Sequence, residues 1–169
     1  MPLIVAEKEN NMDTILKLLE SNAQLTPAQL AVMCNKSEEE VKKAILKYEE
    51  DGTIVGYKTL VDWDKTDRAY VNAMIELKVS PQKDLGFDRI AETICLHPEV
   101  QSVHLMSGGY DLLVVIEGKT LKEISDFVFN RLATMDGIVS TATHFILKKY
   151  KDKGVIYNSS DEDKRGNIL

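Results

Sequence analysis

The spacing of apolar residues changes character near residue 65, and that switch constrains the fold more than any other feature of the chain. Ahead of it, apolar side chains recur every three or four residues. They run Met12, Ile15, Leu16, Leu18 and Leu19; then Leu30, Ala31 and Met33; then Val41, Ala44, Ile45 and Tyr48. A helix turns once per 3.6 residues, so each set forms one apolar stripe. Behind the switch, strand-like runs alternate with helical ones. A chain patterned this way folds as two units of different secondary structure.

The first half is punctuated as three helices. Thr26-Pro27 is a strong helix start, because the threonine oxygen accepts an orphan backbone N–H and proline has none to lose. Ser37 and Glu40 have the spacing of a capping box, and Asp51-Gly52 ends the third helix. Thr53–Val55 reads as a short strand and Tyr57–Asp62 as its return. Three helices and a hairpin make a winged helix-turn-helix over residues 1–64. The polar stretch Val61–Asp67 surrounds Trp63, expected as a packing anchor, and links the halves.

The second half, residues 65–150, reads as βαββαβ. Ala69–Val79 is a strand, Phe87 to Cys95 a helix stopped at His97-Pro98, and Val100–Ser107 and Leu112–Glu117 strands flanking a glycine turn. Leu121 to Leu132 is a second helix, and Ile138–Lys149 the last strand. Such a unit gives a four-stranded antiparallel sheet with both helices on one face, the ferredoxin-like arrangement within an α+β chain. Its other face needs a cover, so dimerisation through the sheet is expected. Residues 151–169 are a polar tail with an ordered start and a mobile end.

Composition narrows the function classes. Hydrophobic residues at 44% and charged residues at 28% describe a folded globular protein. No apolar run approaches the roughly 20 residues needed to span a bilayer, and the start MPLIVAEKENN lacks the pattern of a signal peptide. A cytoplasmic home with no membrane partner is expected. Cys34 and Cys95 have neither disulfide nor metal spacing and are expected as buried free thiols. The net charge of −6 opposes nucleic-acid binding by bulk electrostatics alone.

Several local motifs carry a family resemblance: Leu25-Thr26, Ser37, Glu49-Glu50-Asp51-Gly52-Thr53-Ile54, His97-Pro98-Glu99-Val100 and Ser107-Gly108-Gly109-Tyr110-Asp111, followed by Gly137-Ile138 and Thr141-Ala142-Thr143. Their order and spacing over residues 10–150 resemble the leucine-responsive regulatory protein/AsnC family of feast-and-famine transcription regulators. That resemblance implies a homodimer, often assembled into tetramers or octamers, binding double-stranded operator DNA. It also implies an amino-acid or similar small effector, with no cofactor and no metal, at Met106, Ser107, Gly108, Gly109 and Asp111, with Thr141 and Thr143 opposite.

The chemistry of each site can be weighed. Glycines admit close backbone approach, amide N–H groups bind a carboxylate, and Asp111 offers a counter-charge to an ammonium. The alternative is a plain turn in which Asp111 accepts local backbone bonds. For DNA the candidate set is Thr26, Lys36, Ser37, Lys42, Lys43 and Lys47. Against it stand Glu38, Glu39 and Glu40 in the first turn of the third helix, seven lysines facing twelve acids through Asp64, and no arginine before Arg68. Binding that depends on oligomerisation is therefore expected, or else a sensor or scaffold that has lost operator binding. An enzyme akin to sirohaem decarboxylases is disfavoured: His104 is isolated, and His97 and His144 read as helix-end and strand-surface residues. No catalytic set is assigned.

Overall fold

A computed structural model of the chain describes residues 11–80 and 86–157, the first three by backbone alone. The Met12 side chain and the end of the tail, residues 158–169, lie outside the described residues. The chain divides into two compact units, residues 1–60 and 61–169. The division falls a few residues ahead of the boundary expected after Asp64.

The first unit contains α1 (Asn11–Ser21), α2 (Pro27–Cys34) and α3 (Glu38–Glu50). Their stripes meet in a small core around Ile15, Leu19, Leu30, Val41 and Tyr48. Both expected helix starts form complete capping boxes, Thr26 with Gln29 and Ser37 with Glu40. The turn between α2 and α3 is tight because Asn35 adopts a left-handed conformation at φ 51° and ψ 50°. The Lys36 amide then donates back to the Ala31 carbonyl at 2.9 Å, which also accepts from the Asn35 N–H, closing the helix end.

The expected wing is not formed: Thr53–Val55 and Tyr57–Asp62 carry no strand pairing. The amides that would begin a ladder are already used. Asp51 accepts from the Thr53 N–H at 3.0 Å, and the Ile54 N–H donates to the Tyr48 carbonyl at 2.8 Å. Those bonds fold Ile54 back onto the helical core and leave Val55 95% exposed. A two-stranded ribbon with no third layer to cover it is marginal in water. The Thr53 bonds also hold the Asp51 carboxyl below its ordinary value.

The second unit has the expected order: β1 (Val71–Val79), α4 (Asp88–Cys95), β2 (Val100–Leu105), β3 (Leu112–Gly118), α5 (Leu121–Phe127) and β4 (Ile138–Ile146). The sheet runs β2-β3-β1-β4 with antiparallel neighbours. Alternation sends Ala73, Ile75 and Leu77 of β1 and Leu112, Val114 and Ile116 of β3 to one face, where Ile94, Ile124 and Leu132 from the helices complete the core. The opposite face carries Met74, Leu113 and Val115 at its centre, half-buried or exposed.

Several boundaries depart from expectation. β1 begins at Val71 rather than Ala69, β2 stops at Leu105 rather than Ser107, and β4 stops at Ile146 rather than Lys149. β2 ends because the Met106 N–H turns to the Asp111 carbonyl at 2.8 Å. The helix read through Leu132 becomes a π turn over Val128–Leu132, which keeps both of those side chains buried. Cys34 is buried as expected, but Cys95 is exposed. The buried stripe of α4 centres on Ile94, and one further residue turns the thiol about 100° off it. The tail starts as a small hairpin, β5 (Lys151–Asp152) with β6 (Val155–Ile156). Positive φ at Lys153 (47°) and Gly154 (83°) gives it a turn that matches the strand twist.

Candidate effector turn and candidate nucleic-acid interface

The 106–111 turn closes the β2–β3 hairpin and leans on β1. The Asp111 N–H donates to the Leu77 carbonyl at 2.9 Å, and Asp111 Oδ2 accepts from the Val79 N–H at 2.7 Å. β1 uses that acceptor because its ladder with β3 ends at the Leu77–Leu112 pair, leaving the Val79 N–H on that side beyond the last backbone partner. One carboxylate oxygen of Asp111 is thus committed to backbone. Met106, Ser107, Gly108 and Gly109 are exposed. Neither glycine has a positive φ, and a methyl added at either would meet nothing within 4 Å. Among the described residues of their own unit, nothing requires glycine at either position.

Thr141 pairs with Leu77 and Thr143 with Ile75, so both half-buried threonines sit on the helix-side face of the edge strand β4. Leu77 also pairs with Leu112. Thr141 therefore lies at the same end of the sheet as the turn, two strand spacings or about 10 Å away. Within one chain the sheet aligns the two halves of the expected site without bringing them into contact.

A groove of about 450 Å³ lies elsewhere, lined by Glu99, Glu117, Glu123, Asp126 and Arg131 among others. It contains none of the expected effector residues. Glu117 is bonded by Arg68, and Glu123 accepts from the Lys119 N–H at 2.8 Å. Arg68 also lies 4.2 Å over the half-buried ring of Trp63, giving the tryptophan its anchoring role.

On the first unit, the candidate DNA-facing residues divide by what already occupies them. The Thr26 and Ser37 oxygens are taken up in capping, Ser37 Oγ lying 2.7 Å from Glu40 Oε2. Hydrogen bonds from Ser37, backbone first, hold the Glu40 carboxyl below its ordinary value. Lys42 Nζ sits 2.6 Å from Glu38 Oε1. Lys36, Lys43 and Lys47 make no ion pair within 4 Å among the described residues, though Lys36 and Lys43 act on Glu40, and Lys47 on Asp51, at longer range. Sequence reasoning passed over Leu46, an apolar side chain left 55% exposed on α3. Its position among lysines on the outer stripe was the available signal.

The histidines do not converge. His97 packs edge-on against Phe127, His144 Nε2 lies 3.4 Å from Glu76 on the open sheet face, and His104 is exposed on β2. No helix among the described residues is long and apolar enough to cross a membrane.

A three-helix module ahead of a ferredoxin-like sheet with an exposed glycine turn defines a class of two-unit regulators. Residues 72–156 match the model of the Lrp/AsnC ligand binding domain. The chain is 44% identical over 162 residues to the uncharacterised HTH-type transcriptional regulator YugG of Bacillus subtilis, covering 95% of this chain and 96% of that one. The chain belongs to the Lrp/AsnC family of transcriptional regulators, a regulatory rather than an enzymatic family. Its fold is that of Escherichia coli AsnC (TM-score 0.64, 22% identity, covering 88% of this chain and 95% of that one). It is also that of Neisseria meningitidis NMB0573, solved with L-methionine (TM-score 0.69, 23% identity, covering 85% and 92%).

Proposed function

We propose that residues 1–64 bind operator DNA, that the chain oligomerises through the open face of its sheet, and that an amino acid or similar small molecule acts at the 106–111 turn with Thr141 and Thr143. Lys43 and Lys47 carry the DNA reading: they are exposed on α3, make no ion pair within 4 Å among the described residues and turn away from Val41 and Tyr48. The effector reading draws on the ligand-binding domain match and on the methionine complex of the Neisseria relative. Two aligned but separated half-sites suit a ligand bound between copies. Such a regulator works where promoters are, in the cytoplasm.

A second reading, a sensor or scaffold without operator binding, is favoured by the Glu38–Lys42 pair and by the excess of acids in the first unit. Selection of genomic fragments by the full chain at low salt separates the two. A defined enriched motif supports the regulator, and no enrichment supports the scaffold. Lys36 and Lys47 at phosphates, doubled in a dimer, give a shallow slope of log affinity against log salt of about −4. Thermal shift against the twenty amino acids tests the effector: a stabilising ligand supports it, and a flat response to all twenty removes amino acids as its class.

A further inference from the structure

Tracing the partners of the first turn of α3 singles out one glutamate. Glu40 closes the capping box with Ser37, and Glu38 holds Lys42. Glu39 is exposed, with no hydrogen bond or ion pair among the described residues. The helical repeat sets Glu39, Lys43 and Leu46 on one line, at i, i+4 and i+7. That line runs opposite Val41, fully buried, and Tyr48, 6% exposed. These three side chains therefore project farthest from the core of their unit.

A surface built only to hold phosphates gains nothing from a free carboxylate or a bare leucine. The first repels a polyanion and the second offers it no charge. Each does have a partner on a base edge in the major groove. A carboxylate accepts from the N4 amino group of cytosine, an apolar side chain packs on the thymine methyl, and a lysine donates to guanine O6 and N7. Lys36 and Lys47 remain at the margins for phosphates.

Resting on the reading of α3 as the DNA-facing helix, we propose that Glu39 and Leu46 set base specificity. Glu39 accepts from a cytosine N4 amino group, Leu46 packs on a thymine methyl, and Lys43 between them donates to guanine. Seven residues of helix rise about 10 Å, so the cytosine and the thymine lie about three base-pair steps apart.

The test is bind-and-sequence selection with the full-length parent, Glu39→Gln and Leu46→Ala, followed by titration of the selected site with uracil in place of the contacted thymine. The parent is expected to select a fixed cytosine. Glu39→Gln loses about tenfold of the discrimination at that position while its binding to unrelated DNA tightens. Leu46→Ala relaxes a thymine about three steps away, and the uracil site weakens the parent several-fold but leaves Leu46→Ala unchanged. Both side chains are exposed, so thermal midpoints equal to the parent's check that the variants are folded. The proposal is overturned if both variants select the parent's motif base for base, or if uracil costs parent and variant equally. A parent that selects no motif removes the DNA-facing reading and this proposal together, and is told apart by being measured first.

Discussion

The two units handle their chemistry-bearing residues in opposite ways. In the first, several polar groups that look available for a partner are already used: Thr26 and Ser37 cap helices, Glu40 reaches back to Ser37, and Lys42 is paired with Glu38. In the second, the turn most suggestive of a ligand site carries two glycines that stand in open space. Local satisfaction makes the first unit a self-sufficient scaffold with a narrow working face. The second leaves one sheet face open and a glycine turn in open space among the described residues.

Glycine provides the sharpest way to break that comparison. Gly137 has φ +90°, and a methyl there would stand 2.8 Å from Ile90 Cδ1. Gly137→Ala is expected to destabilise the second unit by about 1–2 kcal/mol in chemical denaturation, mainly through left-handed strain, since the Ile90 methyl can shift aside. Next in size, Met74→Lys puts a charge at the centre of the open sheet face. Sedimentation is expected to show loss of the dimer, and anisotropy titration an operator affinity at least about tenfold weaker. A dimer-deficient variant that binds as tightly as the parent would falsify the dependence on assembly.

Ser37→Ala removes a cap from the first unit and is expected to cost about 1 kcal/mol in its unfolding transition. The same site gives a smaller acid effect. Glu40 and Asp51 have carboxyls depressed from ordinary values of 4.5 and 3.8. Their contribution is complete above those values and is lost as pH falls through the depressed ones, so helical signal should weaken from about pH 4.5 downward. Ser37→Ala should flatten that decline. The smallest stability change is expected for Gly108→Ala, within about 0.5 kcal/mol of the parent. The effector-induced thermal shift should nonetheless disappear in that variant. A large loss of stability there would place the glycine's role in folding rather than in recognition.

Local rules made much of this legible in sequence. Ser37 and Glu40 are three residues apart, and their box formed as written. The βαββαβ order followed from changes in apolar period, and its sheet formed with the helices on one face. What escaped depends on distant or competing partners. The wing failed because the Thr53 and Ile54 amides were claimed by the end of α3, a competition that strand propensity does not register. The commitment of Asp111 to Val79 joins positions 32 residues apart. Leu46 was overlooked because attention to charge on α3 passes over an apolar residue among lysines.

The bond from Val79 to Asp111 ties the end of β1 to the glycine turn. A cation arriving at that carboxylate must share it with the backbone beside the β1–β4 irregularity, where the Ser80 N–H also donates to the Gly137 carbonyl at 2.8 Å. Occupancy and strand order are then thermodynamically reciprocal: whatever tightens that corner raises affinity for the cation, and whatever loosens it lowers affinity by the same factor. Under the proposed effector reading, edits at Gly137, remote in sequence from the turn, should therefore retune the concentration at which an effector acts there.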